Sequence, residues 1–259
     1  MIIGAQLYTV RSSCKTTEDL DSTLRRCAEM GFAAVQLSGV CDYDPCWMKQ
    51  RLDEYGLIAP ITHSKADRIL NDTEKLIEDH KIIGAEYVGL GSVPNFRNCG
   101  CDEEYFVKYM DSLGEAIEKI GNAGLKFMYH NHNMEFARMS DGKLFIEYVS
   151  ELFAGKRAGI TLDCYWVTAG GGDPAQWLRR LSGQVDCIHL KDMVYWGPDK
   201  ATRMAPVGYG NLNHAEIVKA AADAGVKYAF IEQDSCYEED TFDALKKSLD
   251  SLRKLGCKE

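Results

Sequence analysis

The chain has 259 residues, of which 46% are hydrophobic and 27% charged, with 30 Lys and Arg residues against 39 Asp and Glu residues. This composition is typical of a folded protein and excludes a disordered chain. The net charge of −9 gives nucleic-acid phosphates no general attraction, so we expect no nucleic-acid partner.

The sequence contains no run of about 20 apolar residues and begins without the features of a secretory signal. We therefore expect no membrane partner and a cytoplasmic location. Ten cysteines are too sparse for a disulfide scaffold. Cys27, Cys164 and Cys187 lie in apolar stretches and are predicted to be reduced core residues. Cys99 and Cys101, in a glycine-containing loop, are predicted to be exposed.

Short runs rich in Val, Ile, Leu, Phe and Tyr alternate with longer amphipathic stretches along the chain. Their apolar character is typical of strands that are buried on both faces of a parallel sheet. The eight runs predicted as strands are 2–10, 33–37, 58–62, 87–90, 126–130, 158–162, 186–190 and 228–232.

Amphipathic helices are predicted between the strands, and each ends at a glycine, as helices commonly do. They cover 18–30, 102–123, 213–224 and 241–255. Eight units of about 32 residues match the typical length of a (β/α)8 barrel. An open doubly wound sheet would normally place a glycine-rich turn after the first strand, where this chain has Tyr8-Thr9-Val10. We therefore predict the α/β class and a single (β/α)8 TIM barrel, with one domain over residues 1–259.

Four successive predicted strands end in side chains that can bind a metal. Because strand ends converge at one mouth of a barrel, His130, Asp163, His189 and Glu232 are predicted to hold one divalent ion. Mn²⁺ is the predicted ion, with Co²⁺, Mg²⁺, Fe²⁺ and Zn²⁺ as alternatives, whereas Ca²⁺ prefers an all-oxygen shell. Each residue taken singly also has a structural explanation, since such residues often only form hydrogen bonds or cap a helix.

The motifs around these residues resemble the xylose isomerase-like barrel superfamily, in particular its sugar phosphate isomerase/epimerase branch, over essentially the full chain. The resemblance implies a TIM barrel, a divalent metal at its C-terminal mouth, a small carbohydrate substrate and a homo-oligomer. It assigns the family's metal-binding Asp, His and last Glu to Asp163, His189 and Glu232. The matching segments are 129–132 with 135–136, 162–167, 189–193, 206–211 and 231–234.

The fourth ligand departs from the family pattern. Many relatives have Glu at the end of strand five, which in ketose epimerases pairs with the strand-eight Glu as acid and base. His130 stands at this position, and an imidazole cannot complete a symmetric pair of carboxylates. The resemblance implies an isomerase or epimerase that abstracts a proton next to a metal-bound carbonyl. The alternative is a dehydratase or lyase on an inosose or 3-keto-glycoside, since both routes share this first step.

Four residues are predicted to be catalytic. Glu232, His132 and His63 are candidates for the base that removes the proton. Lys191 is a candidate donor to an oxyanion or a substrate hydroxyl. The alternatives are that His63 only orients a neighbour and that Lys191 forms a surface salt bridge beside Asp192.

Five residues are predicted to bind substrate. Gln6, Tyr8 and Gln36 offer uncharged hydrogen-bonding groups to hydroxyls, and Trp166 offers a flat apolar surface unless it serves only in packing. Arg203 is predicted to recognise a phosphate or carboxylate. It lies in segment 195–213, which is predicted to be a loop that acts as a lid.

Two further functions stay open from the sequence. An apurinic endonuclease of the same superfamily needs additional His and Glu ligands and a basic surface, which six histidines and an acidic composition disfavour. A non-catalytic sugar-binding barrel would keep the pocket without the chemistry.

Overall fold

Eight parallel strands close into a barrel in the computed structural model, which describes residues 1–257. Strands β8 and β9 form an antiparallel hairpin outside it, and β10 closes the barrel between β7 and β1. The predicted (β/α)8 TIM barrel is thus confirmed. In chain order the strands are β1 (Ile2–Gln6), β2 (Ala34–Leu37), β3 (Ile58–Ser64), β4 (Tyr87–Leu90), β5 (Lys126–His130), β6 (Ala158–Asp163), β7 (Cys187–Leu190), β8 (Asp192–Trp196), β9 (Ala201–Ala205) and β10 (Tyr228–Ile231).

Helices surround the barrel, and many begin at a side chain that caps their first turn. Thr16 and Asp19, for example, form a reciprocal capping box at the start of the first helix. This helix ends at Gly31, whose φ of 93° favours glycine. The helices are α1 (Thr17–Met30), α2 (Pro45–Tyr55), α3 (Ala66–Asn71), α4 (Thr73–Ile83), α5 (Glu103–Ser112), α6 (Gly114–Asn122), α7 (Phe145–Phe153), α8 (Cys164–Ala169), α9 (Pro174–Arg180), α10 (His214–Asp223) and α11 (Thr241–Lys254).

Two predicted elements differ from the structure. The first strand ends at Gln6 instead of residue 10, because the side-chain oxygen of Gln6 accepts from the backbone N–H of Tyr8 and Leu7–Ser13 form a 3₁₀-helix. The single helix predicted over 102–123 is interrupted before Gly114, a residue of low helix propensity, and forms α5 and α6.

The barrel interior is filled by a small apolar cluster below the C-terminal mouth. It consists of Ala34, Ile61, Tyr87, Met128, Cys187, Tyr228 and Phe230. Residues two apart on a strand face the same side of the sheet. Because Met128, Cys187 and Phe230 belong to this interior cluster, the residues two positions after them should also point inward. The residues two positions later are His130, His189 and Glu232. A larger core lies between strands and helices.

The segment predicted as a loop over 195–213 is partly regular. Strands β8 and β9 form a hairpin in which Asp192 pairs with Ala205 and Trp196 pairs with Ala201. The turn and the second strand of this hairpin lie within the segment. Gly197 lies in the turn between the two strands. A role for this hairpin as a lid stays a prediction.

Asp192 anchors the chain that follows the hairpin. Its carboxylate accepts the backbone N–H groups of Gly208 at 2.9 Å, Gly210 at 3.0 Å and Leu212 at 3.1 Å. A side chain at position 210 would begin only 2.3 Å from this carboxylate, which explains the glycine there. Asp192 therefore does not form the surface salt bridge with Lys191 that the sequence suggested.

The solvent exposure of four of the five cysteines matches the prediction. Cys27, Cys164 and Cys187 are buried as predicted, Cys99 is exposed, and Cys101 is only partly exposed. None of the helices in residues 1–257 is long and apolar enough to cross a membrane.

Candidate metal centre and cleft

The four residues predicted as metal ligands lie together at the C-terminal mouth of the barrel. His130, Asp163 and His189 are at or near the ends of β5, β6 and β7, and Glu232 follows β10 directly. All four are buried, and one ligand atom from each lies within 4.8 Å of the others. The group could hold a metal ion.

A hydrogen bond outside the cluster determines which nitrogen of His130 carries the proton. Nδ1 lies 2.9 Å from the carbonyl oxygen of Gly91, which can only accept, so Nδ1 donates. In the neutral ring Nε2 then presents a lone pair, 3.2 Å from Oδ2 of Asp163. Burial and the neighbouring His189 ring lower the pKa of His130, which favours this neutral form.

Gln36 orients His189 in the corresponding way. Nε2 of His189 donates to the side-chain oxygen of Gln36 at 2.7 Å. This leaves Nδ1 facing Oε2 of Glu232 at 2.8 Å and Oδ2 of Asp163 at 3.6 Å, with no hydrogen bond of its own within residues 1–257. Burial opposes a charge on the ring, but the Glu232 and Asp163 carboxylates outweigh it and raise the pKa of His189.

This donor set fits a divalent cation. Lone pairs that face one another repel unless a proton or a cation lies between them, and here two imidazole nitrogens face two carboxylates. The second nitrogen of each ring is bonded to an acceptor, which is how proteins orient metal-binding histidines. Mixed imidazole and carboxylate ligands suit transition-metal ions such as Mn²⁺, Fe²⁺, Co²⁺ and Zn²⁺. The ion would be held by His130, Asp163, His189 and Glu232.

Lys191 is buried beside this cluster, so the surface salt bridge considered from the sequence is wrong. Its Nζ lies 3.1 Å from Asp163, 3.0 Å from Glu232 and 2.9 Å from Asp234, and the residue is only 1% exposed. The ammonium counteracts burial and holds the pKa values of Asp163 and Glu232 below their ordinary range. Burial and the Glu232 carboxylate raise the pKa of Asp234 to about 7.

A cleft of about 660 Å³ opens above the cluster. All four predicted catalytic residues line it: His63, His132, Lys191 and Glu232. The predicted ligand His130 also reaches its surface. The structure thus brings the predicted acids and bases to one space that has the volume of a small-molecule site.

The two imidazoles of the cleft wall lie close to the ligand rings. The His63 ring centroid is 5.2 Å from that of His130, and the His132 centroid is 4.8 Å from it. Burial and the His130 ring lower the pKa of His132 to about 3 and that of His63 well below its ordinary value. Nε2 of His63 and Nδ1 of His132 make no hydrogen bond within the described chain. Both rings are therefore neutral bases at pH 7.

A family model described as xylose isomerase-like TIM barrel matches residues 24–255. The chain belongs to this family. The resemblance inferred from the sequence motifs is therefore confirmed.

Three proteins are similar to this chain in sequence or in structure. The chain is 22% identical over 195 residues to inosose dehydratase of Geobacillus kaustophilus (strain HTA426), a match that covers 67% of this chain and 62% of that relative. A sugar phosphate isomerase/epimerase from Parabacteroides distasonis ATCC 8503 has a TM-score of 0.80, 21% identity and 97% of each chain covered. The IOLI protein with a bound zinc atom has a TM-score of 0.72, 14% identity and 98% of each chain covered. At these identities the structural likeness shows the fold.

The predicted substrate-binding residues fall into two groups. Tyr8 and Trp166 line the cleft of this xylose isomerase-like barrel. Gln6 and Gln36 are neighbours in register on β1 and β2 and are fully buried below it. Gln36 therefore positions His189 in this structure.

Arg203 is not brought to the cleft. Its guanidinium group lies on the hairpin, 4.3 Å from the ring centroid of Tyr237 and 5.1 Å from that of Trp196. Nε donates to Asp199 at 2.6 Å. The hairpin between β8 and β9 directs the side chain towards these neighbours, a geometry that a loop prediction did not include.

Three polar residues of the site had no predicted role. Asp234 lies two residues after Glu232, so the alternation of inward positions could have indicated it. Glu135 accepts from the backbone N–H of His132 at 2.7 Å, and Asn131 accepts from that of Asp163 at 3.0 Å. These bonds fix the turn after β5, a role that no sequence spacing reveals.

Proposed function

We propose that this protein is a metal-dependent isomerase or epimerase that removes a proton next to the carbonyl of a small sugar, keto sugar or sugar phosphate. One observation carries the proposal: four ligand-type groups within 4.8 Å lie below a cleft whose wall holds two imidazoles. When bound, a divalent cation such as Mn²⁺ would polarise the carbonyl and stabilise the charge that develops on its oxygen. Similar proteins named as isomerase/epimerase and as dehydratase support a carbohydrate substrate.

An imidazole suits the role of the base better than Glu232 does. Oε2 of Glu232 is already paired with His189 at 2.8 Å and with Lys191 at 3.0 Å. Neither Nε2 of His63 nor Nδ1 of His132 has a hydrogen-bond partner within the described chain. In the proposal one of these rings accepts the proton and the other orients a hydroxyl.

Lys191 holds three carboxylates together at the bottom of the cleft. Its ammonium group pairs with Asp163, Glu232 and Asp234, and it also lines the cleft. In the proposal Nζ donates to a substrate oxygen when negative charge develops there. The Trp166 ring, which also lines the cleft, has its centroid 5.6 Å from Nζ.

Proton exchange with solvent tests the proposal. The purified protein is loaded with Mn²⁺ and incubated in D₂O with pooled ketoses, keto-glycosides and inososes. The mass of each compound is then measured by mass spectrometry. The proposal predicts a gain of one deuteron without loss of water or aglycone. Absence of exchange from every member of the panel would contradict it.

A dehydratase or lyase is the second candidate, and His130 is the observation that favours it. An epimerase with two opposed carboxylates can protonate either face of the intermediate, but β5 here ends in an imidazole directed at Asp163. Elimination needs one base and a leaving group, and the similar inosose dehydratase carries out such a reaction by name. Loss of water or aglycone in the same assay would establish this candidate instead.

A further inference from the structure

A second cavity of about 650 Å³ lies beside the cleft at the end of β3. Its lining includes Tyr43 from the chain after β2, Thr62 of β3 and His80 of α4. The two spaces meet at a common wall formed by Ser38, His63, Ser64 and Lys65, which line both. One part of a ligand can therefore lie in the cleft above the four-residue cluster while another part lies in the second cavity.

The size of the two spaces exceeds what one sugar ring requires. Each of them has the volume of a complete small-molecule site. A monosaccharide held at the metal centre would use the cleft and leave the second cavity to another group.

The ionic side chains that line the second cavity neutralise one another. Three basic and three acidic residues line it, and each lies within ion-pairing distance of a residue of opposite sign. The cavity therefore offers an anion such as a phosphate no net attraction. The pairs are Lys65 with Asp42 at 3.0 Å, Arg68 with Asp72 at 3.2 Å and Asp79 at 2.8 Å, and Lys75 with Asp79 at 3.3 Å.

A chain of hydrogen bonds in this cavity has a fixed direction. Nδ1 of His80 donates to the carbonyl oxygen of Leu76 at 2.7 Å, so Nε2 of the neutral ring accepts from Thr62 at 2.8 Å. Since Thr62 has only one hydroxyl hydrogen, it accepts from Ser64 at 2.9 Å. Ser64 has then used its own hydrogen and can only accept from a further group.

Tyr43 supplies the complementary group. Its hydroxyl makes no hydrogen bond within residues 1–257. Burial raises the pKa of Tyr43 to about 12, so the phenol keeps its proton and can donate. An acceptor at Ser64 and a donor at Tyr43 match sugar hydroxyls, which both donate and accept, whereas a phosphate dianion can use only the donor.

We propose that the second cavity is a subsite for a neutral, polyhydroxylated group of the substrate. The protein then acts on a glycoside or a comparable two-part polyol in preference to a free monosaccharide. This inference rests on the proposed function and assigns its substrate class.

Matched substrates test the subsite. The Mn²⁺-loaded protein is assayed by deuterium exchange or aglycone release with methyl 3-ketoglucoside and with a 3-ketodisaccharide in which glucose replaces the methyl group. The subsite predicts a KM for the disaccharide about ten-fold lower, the contribution expected from one or two hydrogen bonds. Equal KM values in the wild-type protein would overturn the inference.

Variants locate the effect in the second cavity. Val40 and Tyr43 both line this cavity, and Val40→Phe would fill part of it. Tyr43→Phe and Val40→Phe should each raise the KM for the disaccharide about ten-fold, with a clearly smaller change for the methyl glycoside. Tyr55→Phe is the matched control, because the Tyr55 hydroxyl bonds Asp21 and does not line this cavity. A disaccharide preference that survives both cavity variants would contradict the assignment.

Binding without turnover separates this inference from the proposed function. Saturation-transfer NMR with maltose and methyl glucoside needs no reaction. If no substrate exchanges but maltose binds more tightly than methyl glucoside and Val40→Phe removes the difference, the proposed function fails and the subsite stands. If a substrate exchanges deuterium but the protein shows no preference for the disaccharide, the proposed function stands and the subsite fails.

Discussion

The imidazole of His189 and the side-chain amide of Gln36 are joined by a hydrogen bond of 2.7 Å between residues that are 153 positions apart. This bond places the ring proton on Nε2 and turns Nδ1 towards the carboxylates of Asp163 and Glu232. Gln36 therefore orients one residue of the candidate metal centre without belonging to the four-residue cluster itself.

Replacement of Gln36 tests this control. Gln36→Leu removes the acceptor, so the His189 ring can adopt the other tautomer, and we expect Mn²⁺ affinity to fall by about 10- to 100-fold. Gln36→Glu is the matched control, because it keeps an acceptor at the same position. Calorimetric titration of the metal-stripped proteins measures both. Equal affinity of the Leu variant and the wild type would contradict the role.

Lys191 should stabilise the protein before any metal binds. Lys191→Met leaves Asp163, Glu232 and Asp234 buried without their counter-ion, and loss of one partner of a buried ion pair costs about 3 to 5 kcal/mol. Urea denaturation of the metal-stripped protein measures the change. Lys219→Met, which breaks only an exposed pair with Asp223, should alter stability little. Similar effects of the two substitutions would show that Lys191 is not buried.

His80 should make stability depend on pH. Burial lowers the pKa of His80 to about 4, against 6.5 as its ordinary value. Between pH 6.5 and 4 the unfolded chain therefore binds a proton that the folded protein does not, and stability falls on acidification by about 3 kcal/mol from this group. Denaturation curves of wild type and His80→Gln across this range should differ in slope, with the variant less sensitive. Parallel curves would contradict the assignment.

Asp192 should keep the segment after the hairpin in place. An amide oxygen cannot replace both carboxylate oxygens, so Asp192→Asn should weaken the bonds from Gly208, Gly210 and Leu212 and speed hydrogen exchange at these amides by about ten-fold or more. Asp199→Asn, on the exposed hairpin turn, is the control. Unchanged protection in Asp192→Asn would show that other contacts hold the segment.

The sequence predicted the barrel and the clustering of the four residues of the candidate metal centre because both depend on local patterns along the chain. Alternate residues of a strand face the same side, so His130, His189 and Glu232 follow from the apolar positions that precede them. Strand ends 26 to 43 residues apart were placed at one mouth without any knowledge of contacts.

The roles that depend on contacts between distant strands were not predictable in this way. Gln36 was expected to bind substrate, since nothing near it in the sequence indicates the His189 ring. Lys191 was predicted to be catalytic with a surface salt bridge as the alternative, since its carboxylate partners come from β6 and the chain after β10 and could not be seen in the sequence around it. Arg203 was placed in the cleft because a loop prediction cannot show that β8 and β9 pair.

Metal content together with proton exchange tests the central claim most directly. The wild-type protein and the Asp163→Ala and His189→Ala variants are stripped, reloaded with Mn²⁺, desalted and measured by plasma mass spectrometry, and each is then incubated with the sugar panel in D₂O. We expect about one Mn²⁺ per chain and exchange in the wild type, and neither in the variants. Stoichiometric Mn²⁺ in both variants, or exchange by the stripped wild type, would contradict the account.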